Sequence, residues 1–400
     1  MDLRSNYPYW LMKNGMISPY PSLRSNINVD IAIMGAGISG ALAAHYLQDC
    51  GFSIAIADKR HAGMGSTAAS TAFLQYEIDT PLTELCKYVG NENAIRSYSL
   101  CRKAIYDLQA ICKKNDPALD FKIIPSLQYA SFPAHIKDLY KEYELRLKNG
   151  FKVKWLDMKG LADKFCFDAP GAILSEDGGE VDAYILTHHL LSSFYEQGHQ
   201  VYNNTEVSKI SHNKKGIVLY TKEGYIIKAK KLIIACGYES LKYIPHKIAE
   251  VHSTYAIVSE PLQANKFWYK NSLVWETAEP YMYYRVVDNN RVLVGGKDDP
   301  YHHTHIDNAR IKHKGELLKN AFEKKMKHIY INIDFSWAGA FGITKDGLPY
   351  IGCIPHMPHT YFTLGFGGNG ITFSVIGAEI IRDMILNKKN ENAGLFSFNR

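Results

Sequence analysis

The sequence predicts an α/β chain in which a dinucleotide-binding sheet is interleaved with a second, α+β domain built on an antiparallel sheet. Three observations carry that prediction: a strand, glycine turn, helix, strand and acid in succession over residues 30–58, an alternating aromatic stretch over 251–294, and a second glycine-rich loop at 365–370 that opens a C-terminal helix.

The first pattern reads Asp30-Ile-Ala-Ile-Met-Gly35-Ala-Gly37-Ile38-Ser39-Gly40, with Asp58 standing 18 residues beyond Gly40. An apolar run feeds the glycines, a helix-period segment covers 38–50, Gly51 sits where a C-terminal cap belongs, and 53–57 reads as a second strand. Gly35 makes the turn, Gly37 lets the backbone approach a pyrophosphate, and Gly40 permits close contact between helix and sheet. The helix N-terminus then offers unpaired N–H groups and a positive dipole end to phosphates. Asp58 can accept hydrogen bonds from both hydroxyls of an adenosine ribose, and it would repel a 2′-phosphate. This motif alone does not choose between NAD and FAD.

Four hundred residues with 46% hydrophobic content exceed one compact core, so two intimately joined domains are expected. A formal charge of +6 spread without long like-charged blocks reads as solvated lysines, which argues against nucleic-acid or membrane partners. Seven cysteines without a Cys-x-x-Cys pair argue against a disulfide framework and a structural zinc, so a reducing, cytoplasmic setting is expected. The N-terminus has no apolar segment of signal-peptide length, and the apolar stretch 361–386 is broken by glycines, Glu379 and Arg382, so no membrane span is expected. The run His302-His303-Thr304-His305, beside Asp298, Asp299 and Asp307, reads as a solvated loop, and no metal is assigned.

Residues 1–29, rich in Tyr, Pro and Asn, lack periodicity and read as an ordered arm on the surface or a subunit contact. Helices are expected over 91–114, 136–148, 183–197 with Asp182 as its cap, and 308–327. Strands are expected near Val201 and over 206–210, 216–221, 225–229 and 231–236, the last returning to the dinucleotide sheet. The boundaries drawn are 1–29 for the arm, 30–80, 160–240 and 336–400 for the dinucleotide domain, and 81–159 with 241–335 for a substrate domain.

The second glycine loop, Gly365-Phe-Gly367-Gly368-Asn369-Gly370, presents several backbone N–H groups at a helix start. Such a helix end suits an acceptor-rich ring edge that becomes anionic, as the N1 side of a reduced flavin does.

Taken with Gly65-Ser-Thr-Ala-Ala-Ser70-Thr71-Ala, Gly179-Glu-Val-Asp182-Ala-Tyr184-Ile-Leu186-Thr, Tyr283-Tyr-Arg285 with Arg291-Val-Leu-Val-Gly295-Gly296, and the block from Trp337 to Gly352, the chain resembles the FAD-dependent oxidoreductases of the D-amino-acid oxidase superfamily, the group of glycine oxidase, sarcosine oxidase and γ-glutamylputrescine oxidase. The resemblance covers nearly the whole chain. It implies an FAD-binding Rossmann-like domain of glutathione-reductase type. It also implies that Gly35, Gly37, Ser39 and Gly40 hold the pyrophosphate with Ile38 beside them, and that Asp58, flanked by Lys59, holds the ribose. Ser66, Thr67, Ser70, Thr71 and Ala72 would line the pyrophosphate and flavin edge, and Val207 would meet adenine through its backbone. Ala235 and Gly237 would approach from the returning strand, while Gly342, Gly368, Asn369, Gly370 and Ile371 would surround the flavin's pyrimidine side. Ala183 replaces a proline and Cys236 a threonine common in the family. The neighbourhood Gly339-Ala-Phe-Gly-Ile lacks the cysteine that anchors FAD covalently in some relatives, so the cofactor is expected to be non-covalent.

The implied reaction is oxidation of a C–N bond in a small amine or amino acid by hydride transfer to flavin N5, giving an imine that hydrolyses. No acid or base of the chain is assigned to it. Arg285, whose guanidinium could clamp a carboxylate, is the candidate substrate anchor, and Tyr283, Tyr255 and Trp337 are candidate pocket walls. Two other readings share the first fingerprint. A non-catalytic flavin-binding subunit or sensor is one, and an NAD(P)H-dependent flavin hydroxylase, whose Asp-Ala-Ala-His-type block is absent, is the other. Oxygen and other electron acceptors both stay open.

Overall fold

The apolar run before Gly35 forms the strand Ile27–Met34 at the centre of a largely parallel sheet. This computed structural model describes residues 3–17, 19–115, 119–263, 267–301 and 306–400. Strands follow one another in the order Tyr350–Cys353, Thr360–Leu364, Ile226–Ile234, Ile27–Met34, Ile54–Ala57 and Gln200–Tyr202, only the first running antiparallel to its neighbour. Both faces are covered, which is why these strands read as continuous apolar runs. Ile31 and Ile33 pack with the helices Ile38–Leu47, Ala183–Glu196 and Gly370–Ile385, whereas Ala32 and Met34 pack with Val207, Ile217 and Leu219 of a small antiparallel meander. In register, Met34 pairs with both Ala57 and Ile234, so three strands end level and place Gly35, Asp58 and Ala235 at one edge. A crevice outside the carboxyl ends of parallel strands follows.

The second sheet is mostly antiparallel. It runs Arg4–Ser5, Ile333–Thr344, Ala249–Ser259, Arg291–Pro300, Met282–Val287, Leu273–Glu276, Lys122–Tyr129, Ala172–Glu180 and Phe73–Leu74, with Leu273–Glu276 parallel to Lys122–Tyr129. Ile333–Thr344 brings Trp337, Gly339, Ala340 and Phe341 to the groove described below.

Several expected elements form with small shifts: Asn91–Asn115, Ile136–Lys148, Ala183–Glu196 and Asn308–Lys325 are helices. Asp182 caps its helix by accepting N–H bonds from Tyr184 and Ile185, each 3.1 Å. Three expectations need correction. The segments 225–229 and 231–236 are one strand, Ile226–Ile234, because its first half pairs with the meander while its whole length follows Ile27–Met34. The first helix stops at Leu47, three residues early, and turns through Gly51 at φ +78°. The N-terminal arm is not a surface strip: it forms Arg4–Ser5 and the helix Tyr9–Asn14, residues 27–29 belong to the central strand, and Leu3, Tyr9, Trp10, Tyr20 and Leu23 are buried. The histidine run 302–305 lies outside the described residues.

One buried ionic cluster ties the helices together. Arg146 is fully buried; its Nε donates to Glu142 Oε1 (2.8 Å) and its Nη2 to Gln128 Oε1 (3.1 Å), and Nη1 lies 3.6 Å from Glu77 Oε1. Glu142 in turn accepts the amides of Leu82 and Thr83 at 2.9 Å, the first turn of the helix Leu82–Val89. Burial alone would push Glu142 up, but the Arg146 charge and these bonds outweigh it and hold the carboxyl below its ordinary value. For Glu77 burial wins over Arg146, and its carboxyl is raised. Among the described residues no helix is long and apolar enough to cross a membrane.

Candidate cofactor groove and active site

A single groove of about 1990 Å³, counted out to its mouth, runs from the sheet edge at Asp58 to the C-terminal loop at Asn369. A groove that joins the glycine turn to the far C-terminal loop suits an extended ligand such as a dinucleotide.

At its first end the backbone is bare by necessity. Gly35 has φ +103°, and a Cβ there would stand 2.5 Å from the Ala235 carbonyl oxygen. A Cβ on Gly37 would press on Thr67 Oγ1 at 3.0 Å, and one on Gly40 would overlap the Gly35 carbonyl. Thr67 Oγ1 accepts the Ile38 amide at 3.0 Å, and Ser39 Oγ shares a 2.7 Å bond with Ser374, tying the first helix to the last. Asp58 receives the Ala36 amide on Oδ2 (2.7 Å) and the Arg60 amide on Oδ1 (2.8 Å). Each oxygen keeps a further lone pair for a hydroxyl. Burial pushes this carboxyl up, against the pull of those two amides. Lys59 lines the groove and pairs with Glu239 at 2.6 Å; burial opposes ionisation of Glu239, but Arg60 and Lys59 outweigh it and hold its carboxyl low.

Most of the sequence-derived cofactor residues meet in this groove: Gly35, Gly37, Ile38, Ser39, Asp58 and Lys59 at one end, Ser66, Thr67, Ser70 and Thr71 along it, Val207, Ala235 and Gly237 on one wall, and Gly368, Asn369, Gly370 and Ile371 at the other end. Three stand a step behind it. Gly40 backs Gly35, Gly342 presses on the ring of Tyr238, which does line the groove, and Ala72 turns the loop at φ +49° with its amide on Ser70 Oγ at 3.1 Å.

These residues fit FAD. The glycine turn brings bare backbone to the groove wall, Asp58 lines the groove beside it, and Ser66 Oγ lines the groove buried and without a partner among the described residues. Replacing Asp58 with alanine is expected to weaken FAD retention at least about tenfold, since a hydrogen bond to a charged group contributes roughly 1.5–3 kcal/mol. Fluorescence titration of the apoprotein with FAD measures this, and an unchanged dissociation constant would remove Asp58 from the cofactor site.

The candidate substrate residues are placed differently from expectation. Arg285 does not line the groove: its Nε donates to the Thr71 carbonyl (3.1 Å), its Nη1 pairs with Glu180 (3.1 Å), and it stacks 5.5 Å from the Trp10 ring. Nε and Nη1 are thus held by the protein, Nη2 is buried without a partner among the described residues, and the side chain is not part of the groove wall that a substrate carboxylate would meet. Trp337 lines the groove, but its Nε1 donates to the Ala69 carbonyl at 2.9 Å. Trp10 Nε1 donates to the Ser70 carbonyl at 2.6 Å. Three consecutive carbonyls, Ala69, Ser70 and Thr71, are thus each held by a different side chain. Tyr255 also lines the groove, with its hydroxyl turned to Asp299 (3.0 Å) and Arg310 (3.1 Å). Tyr283 stays a wall residue: its ring lies across Gly295 and packs against Phe73 (5.4 Å) and Tyr281 (5.7 Å), and burial pushes its phenol up to about 12.

Several groove residues escaped the sequence reading, among them Gln75, Asp79, Trp275 and Tyr281. Asp79 matters most. The amide of Gly368 donates to Asp79 Oδ2 at 2.7 Å, and a Cβ on Gly367 or Gly368 would meet that carboxylate at 2.6 or 2.7 Å. The loop expected to face an anionic ring edge therefore already faces a carboxylate of the chain itself. Asn369 spends its side-chain amide on the carbonyls of Gln75 (3.0 Å) and Glu77 (2.9 Å), locking the loop to the segment that carries Asp79. The only signal for Asp79 is a lone acid in Glu77-Ile-Asp79-Thr-Pro81, which a loop reading explains equally well.

Comparison with known proteins agrees with this geometry. Residues 30–384 match the family described as DAO, FAD dependent oxidoreductase. The γ-glutamylputrescine oxidoreductase of Escherichia coli (strain K12) is 22% identical over 94% of this chain and 88% of its own. Glycine oxidase of Geobacillus kaustophilus (strain HTA426) is 25% identical over 90% of this chain and 93% of its own. The crystal structure of L-proline dehydrogenase from P. horikoshii superposes with a TM-score of 0.77 at 18% identity, covering 95% of this chain and 97% of that one. With the groove and its bare glycine turns in place, the chain belongs to the FAD-dependent oxidoreductases of the DAO family.

Proposed function

We propose that this enzyme oxidises a C–N bond in a small amine or amino acid. The observation that carries the reading is the continuity of the groove: one cavity is lined by the glycine turn and Asp58, by Ser66, Thr67, Ser70 and Thr71, and by an aromatic chamber of Phe73, Trp275, Tyr281 and Tyr283. Bound non-covalently, FAD supplies the two-electron acceptor. The carbon gives up a hydride, the lone pair of the neutral amine closes the C=N bond, and water then releases a carbonyl compound and ammonia or a smaller amine.

The chain's own work is positioning. Trp10, Trp337 and Arg285 fix the three carbonyls of the loop that flanks the cofactor track, and the aromatic walls exclude water and orient the reacting C–H bond. The domain division drawn from the sequence and the placement of adenine at Val207 belong to the same reading. Anaerobic mixing of the FAD-loaded enzyme with a panel of primary and secondary amines and amino acids tests it. Bleaching of the visible flavin band by at least one compound is the expected result. A band untouched by every member would favour a non-catalytic flavin-binding role.

A further inference from the structure

The chamber end of the groove is acidic, and its acids have no task in the mechanism above. Asp79 and Asp298 line it, and Glu279 stands on the adjoining exposed turn. Asp79 Oδ2 is used by the Gly368 amide. Asp298 Oδ1 is shut off from solvent and has no hydrogen-bond donor among the described residues. Leaving a charged acceptor buried and unpaired costs at least about 1–3 kcal/mol, so this oxygen marks a missing donor. Burial, and after it the charges of Asp79 and Glu279, push the Asp298 carboxyl up to about 6 in spite of a bond from Thr254 and the charge of Lys314. Glu279 is raised by burial and by Asp79.

Among the described residues none supplies the missing cation. Lysine and arginine side chains lining the groove are Lys59, Arg60 and Lys242, grouped with Glu206 and Glu239 at the ribose end. Lys314 and Arg310 bond to Asp299, on the far side of Tyr255, and Arg285 is committed to Glu180. Meanwhile Tyr281, Tyr283 and Trp275 line the same groove as Asp79 and Asp298, and aromatic rings attract cations. Acid and aromatic surface together, with no basic group between them, would repel a substrate carboxylate and hold an ammonium.

Resting on the amine-oxidation reading, we propose that the chamber selects substrates with a second, distal cationic group: a diamine or polyamine, in preference to an amino acid or an amine with an uncharged tail. The distal ammonium supplies the donor that Asp298 Oδ1 lacks, while the reacting nitrogen is neutral.

The test compares 1,4-diaminobutane and spermidine with n-butylamine, 4-aminobutanoate and glycine on the FAD-loaded enzyme, reading both anaerobic bleaching and the equilibrium perturbation of the flavin spectrum. A preference for 1,4-diaminobutane and spermidine of about tenfold to a hundredfold over n-butylamine is expected, the worth of one charge-assisted hydrogen bond. That preference should shrink in Asp298→Asn, with flavin content reporting that the variant is folded, and apparent affinity for 1,4-diaminobutane should rise as pH climbs through about 6 and Asp298 ionises. Bleaching by n-butylamine, glycine or 4-aminobutanoate at least as readily as by 1,4-diaminobutane and spermidine overturns the proposal and leaves amine oxidation standing. Binding of these two no tighter than that of n-butylamine likewise overturns the proposal alone. Tight binding of either with no bleaching by any of the five compounds supports the cationic site and counts against the oxidation reading.

Discussion

Replacing Arg146 with leucine is expected to lower the unfolding free energy by about 3–5 kcal/mol, the usual consequence of stripping a buried ion pair of one partner. The side chain is fully buried, and its loss leaves Glu142 and Glu77 inside the protein with no countercharge. Neither carboxylate can reach water, so both would be driven toward protonation. Their pKa values in the folded variant would then exceed the unfolded value near 4.5, and a group raised in this way gives up stability as pH climbs through the folded value. The deficit should therefore be largest at neutral pH and shrink as pH falls toward 4.5. Denaturant titrations at two pH values measure it. Adding Glu77→Gln should recover part of the loss, and a deficit independent of pH would mean that packing, rather than charge, dominates the site.

Replacing Gly40 with alanine is the second large effect. Its Cβ would overlap the Gly35 carbonyl oxygen, and both backbones are already fixed: the Gly35 amide bonds to Ala57 at 2.9 Å, and Met34 is clamped between Ala57 and Ile234. Relief has to come from pushing the first helix off the sheet edge. Overpacking of this sort typically costs about 1–3 kcal/mol and can exceed that where only backbone can yield. Because the same displacement opens the glycine turn expected to face the pyrophosphate, the variant should lose stability and FAD together. The ratio of flavin to protein absorbance after gel filtration, with the thermal midpoint, reads both. Full flavin occupancy at unchanged midpoint would mean that helix and sheet do not touch as closely as described.

What was legible in the sequence was what is local. The glycine turn, the capped helix at Asp182 and the acid after the second strand each declare themselves within a few residues, because turn geometry and strand burial dictate residue type directly. The division of labour in the substrate region was not. Arg285 on an aromatic strand looks like a free clamp until Glu180 and the Thr71 carbonyl, over a hundred residues away, are folded against it. Trp10 lies in an arm with no periodicity, since six helical residues are too few to set a pattern, and its purpose becomes visible only when Ser70 lies beneath its indole nitrogen. Asp79 and Asp298 sit in polar stretches that read as loops, and their meaning comes from lining one groove end where no lysine or arginine among the described residues joins them.

The three carbonyls at residues 69–71 are secured by side chains numbered 10, 285 and 337. A ribosome that has released only the first half of this polypeptide has already delivered the entire nucleotide fingerprint, yet two of the three fasteners are still unsynthesised. Coenzyme capture is consequently a closing event in biogenesis, and early fragments carrying the glycine signature should emerge without their yellow colour.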